Sequence, residues 1–173
     1  MQEDSIVINL GCGTRKEKGH IGVDIVKWPD TDIVWDLNKI PYPFDDEYAD
    51  AIIAEEIIEH LKDPKKFLSE AHRILKPGGT ITITTNNKGS LINRIFKTYN
   101  VKNHISLQTP ESMKNLIDGK RWKIEKYVYR PYVYQNYKEF RARYHLTLPF
   151  RYLLHMILPN RLRERIIIVA VKK

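Results

Sequence analysis

Four stretches of this sequence place small or acidic residues directly after apolar runs. Ile8 to Thr14 reads INLGCGT, with two glycines flanking a cysteine. Asp24 falls at the end of HIGVDI (residues 20–25), Asp36 at the end of DIVWDL (32–37), and Glu55 and Glu56 close AIIAEE (51–56). Glycine at a strand end has no Cβ and reaches backbone angles that other residues avoid, so a ligand can lie against the main chain there. An acid at the end of the second strand is suited to gripping both hydroxyls of a ribose. Asp36, one strand further, can accept from an adenine amino group or from a water beside it. Together these residues describe a slot shaped for adenosine. Glu55 and Glu56 suggest a paired-carboxylate acid–base site. Adjacent strand residues point to opposite faces, however, so only one of the two can face the slot. Cys12 offers a thiol nucleophile, or a small residue packed between the glycines.

The elements that must carry these residues follow from the apolar pattern. A length of 173 residues suggests one domain over 1–173 with a sizeable core. Strands are predicted over Ser5 to Leu10, His20 to Ile25, Asp32 to Leu37, Ala51 to Glu56 and the β-branched Thr80 to Thr85. A helix is predicted from Pro64 to Leu75, with Asp63 as its N-cap, Pro64 at its first position and KPGG ending it. A short helix is expected over Pro110 to Ile117, and strands over Trp122 to Val133 and Arg165 to Lys173. Between those last two strands lies a basic, aromatic insert of about thirty residues (134–164), expected to be helical with interruptions at Pro149 and Pro159. Alternating strands and helices imply an α/β domain with a mostly parallel sheet, and the closing strands suit an antiparallel edge.

Several classes are disfavoured by what is missing. A dinucleotide fingerprint needs a third glycine at position 16, which is Lys16. The phosphate-loop pattern is absent, and no Cys/His cluster has zinc spacing, so no metal is expected. One cysteine cannot form an internal disulfide, which fits a reducing, cytoplasmic setting. No apolar run reaches the roughly 18 residues of a membrane-spanning helix. The opening MQEDSIVINL lacks the basic start and apolar core of a secretory leader. Charge is split: net −6 over residues 1–87 and +14 over 88–173, for a total of +8. An acidic half joined to a basic half suggests two tasks, the basic one facing an anion, nucleic acid, an anionic membrane or only solvent.

Taken in order, INLGCGT, GVDI and the run from WDLNKIPYPFDDEYAD through EEIIEHL to LKPGGTITITT resemble the class I S-adenosylmethionine-dependent methyltransferases, nearest to the small group often labelled type 11. The resemblance covers roughly residues 5–90, the expected cofactor-binding half, with 91–173 as the acceptor side. It implies a Rossmann-like, mostly parallel seven-stranded sheet whose last strand runs antiparallel between its neighbours. The cofactor implied is S-adenosylmethionine. Gly11 and Gly13, with Cys12 between them, would line its methionine and ribose part. Asp24, with Ile25 beside it, would hold the ribose hydroxyls, and Asp36 and Leu37 would flank the adenine. Ala54 and Glu55 would lie near the sulfonium, and His60 would buttress that loop. Two departures stand out. Asn9 occupies a position where most members have an acid that orients the cofactor's ammonium group. Only Gly11 to His20 separate the first two strands, fewer than the dozen or so residues that a crossover with its helix usually needs, so the first helix must be shortened.

A methyl group on a sulfonium is already activated, so aligning the nucleophile carries much of the rate. A base is needed only for an acceptor that is protonated at neutral pH. Glu55, His104 and the tyrosines of residues 127–137 are the candidates. The methyl acceptor itself is not named by the sequence. The basic insert fits a lid over a small molecule, an amphipathic face lying on an anionic membrane, or an RNA-binding surface. A degenerate member that binds the cofactor or a partner without transferring methyl is the non-enzyme alternative.

Overall fold

The computed structural model describes residues 5–96, 104–117, 119–130 and 148–173. Its frame is one seven-stranded sheet in the order β3-β2-β1-β4-β5-β7-β6. The strands are β1 (Val7–Leu10), β2 (Ile21–Asp24), β3 (Ile33–Val34), β4 (Ala49–Glu55), β5 (Leu75–Asn86), β6 (Trp122–Arg130) and β7 (Arg165–Lys172). The run from β3 to β5 is parallel, and β7 lies antiparallel between β5 and β6. Seven strands, with the last antiparallel between its neighbours, is the sheet that the resemblance implies.

Register explains the core. Ile8 aligns with Ile21 and Ile52, Ile52 with Ile81, and Ile83 with Ile168, so these side chains share one face. Helix α1 (Pro64–Ile74) lays Phe67, Leu68, Ala71 and Ile74 into the same buried cluster. Fully burying each large aliphatic side chain contributes roughly 1.5–3 kcal/mol relative to leaving it in water. Asp63 caps α1 as its position predicts, accepting from the N–H groups of Lys65 and Lys66 at 3.0 and 3.1 Å.

The structure differs from the sequence reading at several places. The β1–β2 connection contains no α-helix. It is reduced to turns in which Arg15 N–H donates to Cys12 C=O and His20 N–H to Glu17 C=O. Ten residues cannot supply both helix turns and their connections. The loop between β2 and β3 folds over this face instead. A Cβ on Gly22 would sit 2.3 Å from the Asp30 carbonyl oxygen, so only glycine admits that approach. Lys16 secures it, pairing with Asp32 at 2.9 Å.

β3 holds only two paired residues, because β2 ends at Asp24, whose C=O accepts the last bond, from Trp35 N–H at 2.9 Å. KPGG does not form a free turn: β5 begins at Leu75, paired with Ala49, and passes through a bulge before Thr80. Helix α2 (Leu91–Phe96) is not foreseen by the sequence reading. Helix α3 (Pro110–Leu116) is, with Thr109 and Ser112 forming a reciprocal capping box. Helix α4 (Leu148–Ile157) accommodates Pro149 in its first turn, where no intrahelical N–H is needed, and ends before Pro159. Residues 131–147, which hold the end of the strand expected to reach Val133 and the first part of the basic insert, lie outside the described residues.

Candidate cofactor site

In an open parallel sheet, ligands collect beyond the carboxyl ends of the strands. A cleft of about 170 Å³ lies there, between the ends of β1 and β2 and the segment that follows β4. Its floor starts at Gly11, whose φ of +76° is the left-handed conformation that glycine adopts without cost. The N–H groups of Gly11 and Cys12 both donate to Val23 C=O, at 2.8 and 3.1 Å, which folds the turn back on β2. A Cβ on Gly11 would meet the Ile57 side chain at 2.9 Å. Gly11 thus lets Ile57 close down on the main chain at the base of the cleft.

Asp24 forms the cleft's acidic wall. Its Oδ2 accepts from Gly13 N–H at 2.9 Å and its Oδ1 from Val26 N–H at 3.0 Å. Each carboxylate oxygen keeps further acceptor capacity, which suits two adjacent hydroxyls. Asp36 lies further along. It is held by the backbone and side-chain N–H groups of Asn38 at 2.9 and 3.1 Å, and the backbone bond keeps its carboxyl below the usual range. Leu37, Ile25, Ile57 and Leu61 supply apolar lining between these polar ends. Trp35, steadied by its indole N–H to Lys39 C=O at 3.1 Å, and His60 complete it. An acid against the glycine turn, apolar surfaces beyond it and a polar far end fit a nucleoside.

Among the residues expected at the site, Gly11, Asp24, Ile25, Asp36, Leu37 and His60 border this cleft, and Gly13 contacts its acid. Asn9 and Ala54 are buried in the sheet, and Glu55 is exposed at the end of β4. Cys12 turns its thiol away, toward Asp30 C=O and Thr31 Oγ1, and burial raises its pKa. That environment disfavours the thiolate a nucleophile needs. His104 packs edge-on against His60, ring centres 4.8 Å apart, and burial lowers its pKa.

The sequence reading missed Trp35, Asn38, Ile57 and Leu61 as lining. It also missed a buried polar cluster at the ends of β4 and β5. Glu56, not Glu55, turns inward, with a left-handed φ of +53°. Its Oε1 accepts from Arg165 Nε and Nη2 at 3.0 and 2.7 Å, and its Oε2 accepts from Asn86 Nδ2. Burial pushes its carboxyl up to about 7 against the opposing pull of Arg165. Glu59 is fully buried beside it and accepts from Thr85 Oγ1 at 2.8 Å and Asn86 Nδ2 at 3.2 Å. The EE pair was the available signal. Among the described residues, no group of three His, Cys, Asp or Glu is placed to hold a metal ion.

Residues 14–83 match the family model described as "Methyltransferase domain". The ubiquinone biosynthesis O-methyltransferase of Dictyostelium discoideum is 46% identical over 43 residues, 25% of this chain and 13% of that protein. The chain therefore aligns with only a small part of that relative's length. Among solved structures, an S-adenosylmethionine-dependent methyltransferase from Mesorhizobium loti superposes with a TM-score of 0.62 at 15% identity, covering 96% of this chain and 90% of its own. The Haemonchus contortus phosphoethanolamine N-methyltransferase 2, in complex with S-adenosyl-L-methionine, gives 0.66 at 18% identity over 99% of this chain and 49% of its own. At such identities the likeness establishes the fold.

Proposed function

We propose that this chain, whose residues 14–83 match a methyltransferase domain, is an S-adenosylmethionine-dependent methyltransferase acting on a small or lipid-like acceptor. The observation that carries the reading is the Asp24 carboxylate, tied to the Gly11–Gly13 turn and bordering the cleft. When bound, the cofactor supplies a methyl group on a positively charged sulfur. The residues present fit its adenosine part. Asp24 offers two acceptor oxygens for the ribose hydroxyls. Ile25, Leu37 and Leu61 offer apolar surface to the purine, and Asp36 or Asn38 a polar contact to its edge. Gly13, with open space where a Cβ would stand, leaves the main chain accessible toward the methionine end.

The chain's further task is alignment, because a positioned nucleophile needs little more to attack an activated methyl. The Glu56–Arg165 pair and the Asn86 bonds fix the ends of β4, β5 and β7 in one frame beside that position. A small or lipid-like acceptor is supported by the relatives' own names, which describe ubiquinone biosynthesis and phosphoethanolamine methylation. A second reading, cofactor binding without transfer, is favoured by the helix-free β1–β2 connection.

Incubation with methyl-labelled S-adenosylmethionine, a low-mass metabolite fraction, a lipid extract and an RNA fraction separates these readings. Label in the metabolite or lipid fraction is expected. Label in RNA overturns the acceptor class. Tight cofactor binding with no label in any fraction overturns the enzyme reading in favour of the second.

A further inference from the structure

Helix α4 is fixed from below and bare above. On its buried side, His155 is 7% exposed, and α2 packs against the helix. Arg163 Nε donates to Leu158 C=O at 3.1 Å, closing the helix end. Asn87, just past β5, donates through Nδ2 to the carbonyls of Arg161 and Arg163 at 2.9 and 2.7 Å. The helix is thus fastened to the carboxyl edge of the sheet. On the opposite side, Leu153, Met156 and Ile157 are 55, 75 and 66% exposed, and Phe150, a turn earlier, is 53% exposed. The spacing of 153, 156 and 157 places three large aliphatic side chains on one helical face. A cluster of this kind marks an interaction surface.

The exposed charge on these elements is of one sign, and Glu164, which follows Arg163, is buried. Lys88, Arg94 and Arg161 are exposed on the same elements and their flanks. Residues 88–110 and 140–163 contain no Asp or Glu. Aliphatic side chains on one face of a helix, with cations around them and no acids, match a helix that lies in the interface of an anionic bilayer. Phe150, 53% exposed, adds one aromatic ring to this face, but Leu153, Met156 and Ile157 are aliphatic and suit burial at a bilayer boundary better than stacking on bases. No helix among the described residues is long and apolar enough to cross a membrane.

We infer that the exposed face of α4 is a docking surface for a bilayer containing anionic lipid. Leu153, Met156 and Ile157 enter the headgroup boundary while Lys88, Arg94 and Arg161 face lipid phosphates. The inference does not depend on the cofactor reading: a chain that transfers no methyl would dock in the same way.

The test is co-sedimentation of the full chain with vesicles of phosphatidylcholine alone, or of equal parts phosphatidylcholine and phosphatidylglycerol. Binding to the mixed vesicles and not to the neutral ones is expected, weakened by added salt. Leu153→Asp combined with Met156→Asp should lower the bound fraction by about tenfold or more, since both changes remove apolar burial. Lys88→Gln with Arg94→Gln should weaken binding while leaving the thermal midpoint unchanged, which keeps the test valid if the aspartates impair folding. Equal binding by both double variants and the parent overturns the assignment. So does binding to a single-stranded RNA but not to vesicles, or to neither.

Discussion

The carboxylate of Asp24 accepts the backbone N–H of Gly13 at 2.9 Å, so the acid at the end of β2 and the glycine turn at the end of β1 form one unit. Neither feature is compelling alone, since a Gly-x-Gly turn and a strand-end acid are both common. Their contact beside a cleft is the observation on which the proposed cofactor site rests. Asp24→Ala removes two acceptors of backbone N–H groups as well as the proposed ribose contact. It should weaken S-adenosylhomocysteine binding by about tenfold or more, read by calorimetry. Asp24→Asn, which keeps one acceptor oxygen, should lie between the two.

Gly11 is set by Ile57 as much as by its φ. Gly11→Ala should cost about 2–4 kcal/mol in denaturant unfolding, from the left-handed backbone and the new contact with Ile57. In the Ile57→Ala background, Gly11→Ala should cost less, because only the backbone penalty remains. Equal cost in both backgrounds would show that the contact is unimportant.

Stability should fall as pH rises between about 4.5 and 7 through Glu56. Its folded carboxyl is raised to about 7 from an ordinary 4.5. Over that window the folded chain holds a proton that the unfolded chain has released, and stability declines with pH. Glu56→Gln cannot titrate and should flatten this slope in thermal unfolding followed across pH. The opposite sign holds at Glu70. Arg73 beside it lowers its carboxyl, so its contribution is present at neutral pH and is lost on acidification.

Arg73 pins the PYPF loop to α1. Its guanidinium donates to the carbonyls of Tyr42 and Phe44 at 3.1 and 2.8 Å and to Glu70 at 2.9 Å. Glu70 in turn accepts from Tyr42 N–H at 2.7 Å. Arg73→Ala leaves buried acceptors unpaired and should cost about 2–3 kcal/mol in urea unfolding. Asp46→Ala, at an exposed end of the same network, should change little.

The frame was legible where local signals agreed. Asp63-Pro64 before an apolar helical period gave α1, and TITITT gave the centre of β5. Local pattern failed where distant partners decide. DIVWDL carries an apolar run like a strand, yet only Ile33 and Val34 pair, because β2 ends at Asp24, and Trp35 lines the cleft. The six residues of α2 are too few to show a period. Glu55 and Glu56 were visible as alternating acids, but what chooses between them is Arg165, 109 residues away in sequence. Cys12 looked like part of the site because its neighbours are. Its thiol direction is set by the loop that closes over Gly22.

The most direct test of the central claim is the thermal unfolding shift produced by S-adenosylmethionine and S-adenosylhomocysteine, with NAD and ATP as controls, on the parent chain and on Asp24→Ala. A ligand at about 100 times its dissociation constant adds roughly 2.7 kcal/mol of stability. A clear upward shift with the two sulfur compounds alone, reduced in Asp24→Ala, is predicted. No shift in a folded parent chain, or an equal shift in Asp24→Ala, would contradict the assignment of this cleft.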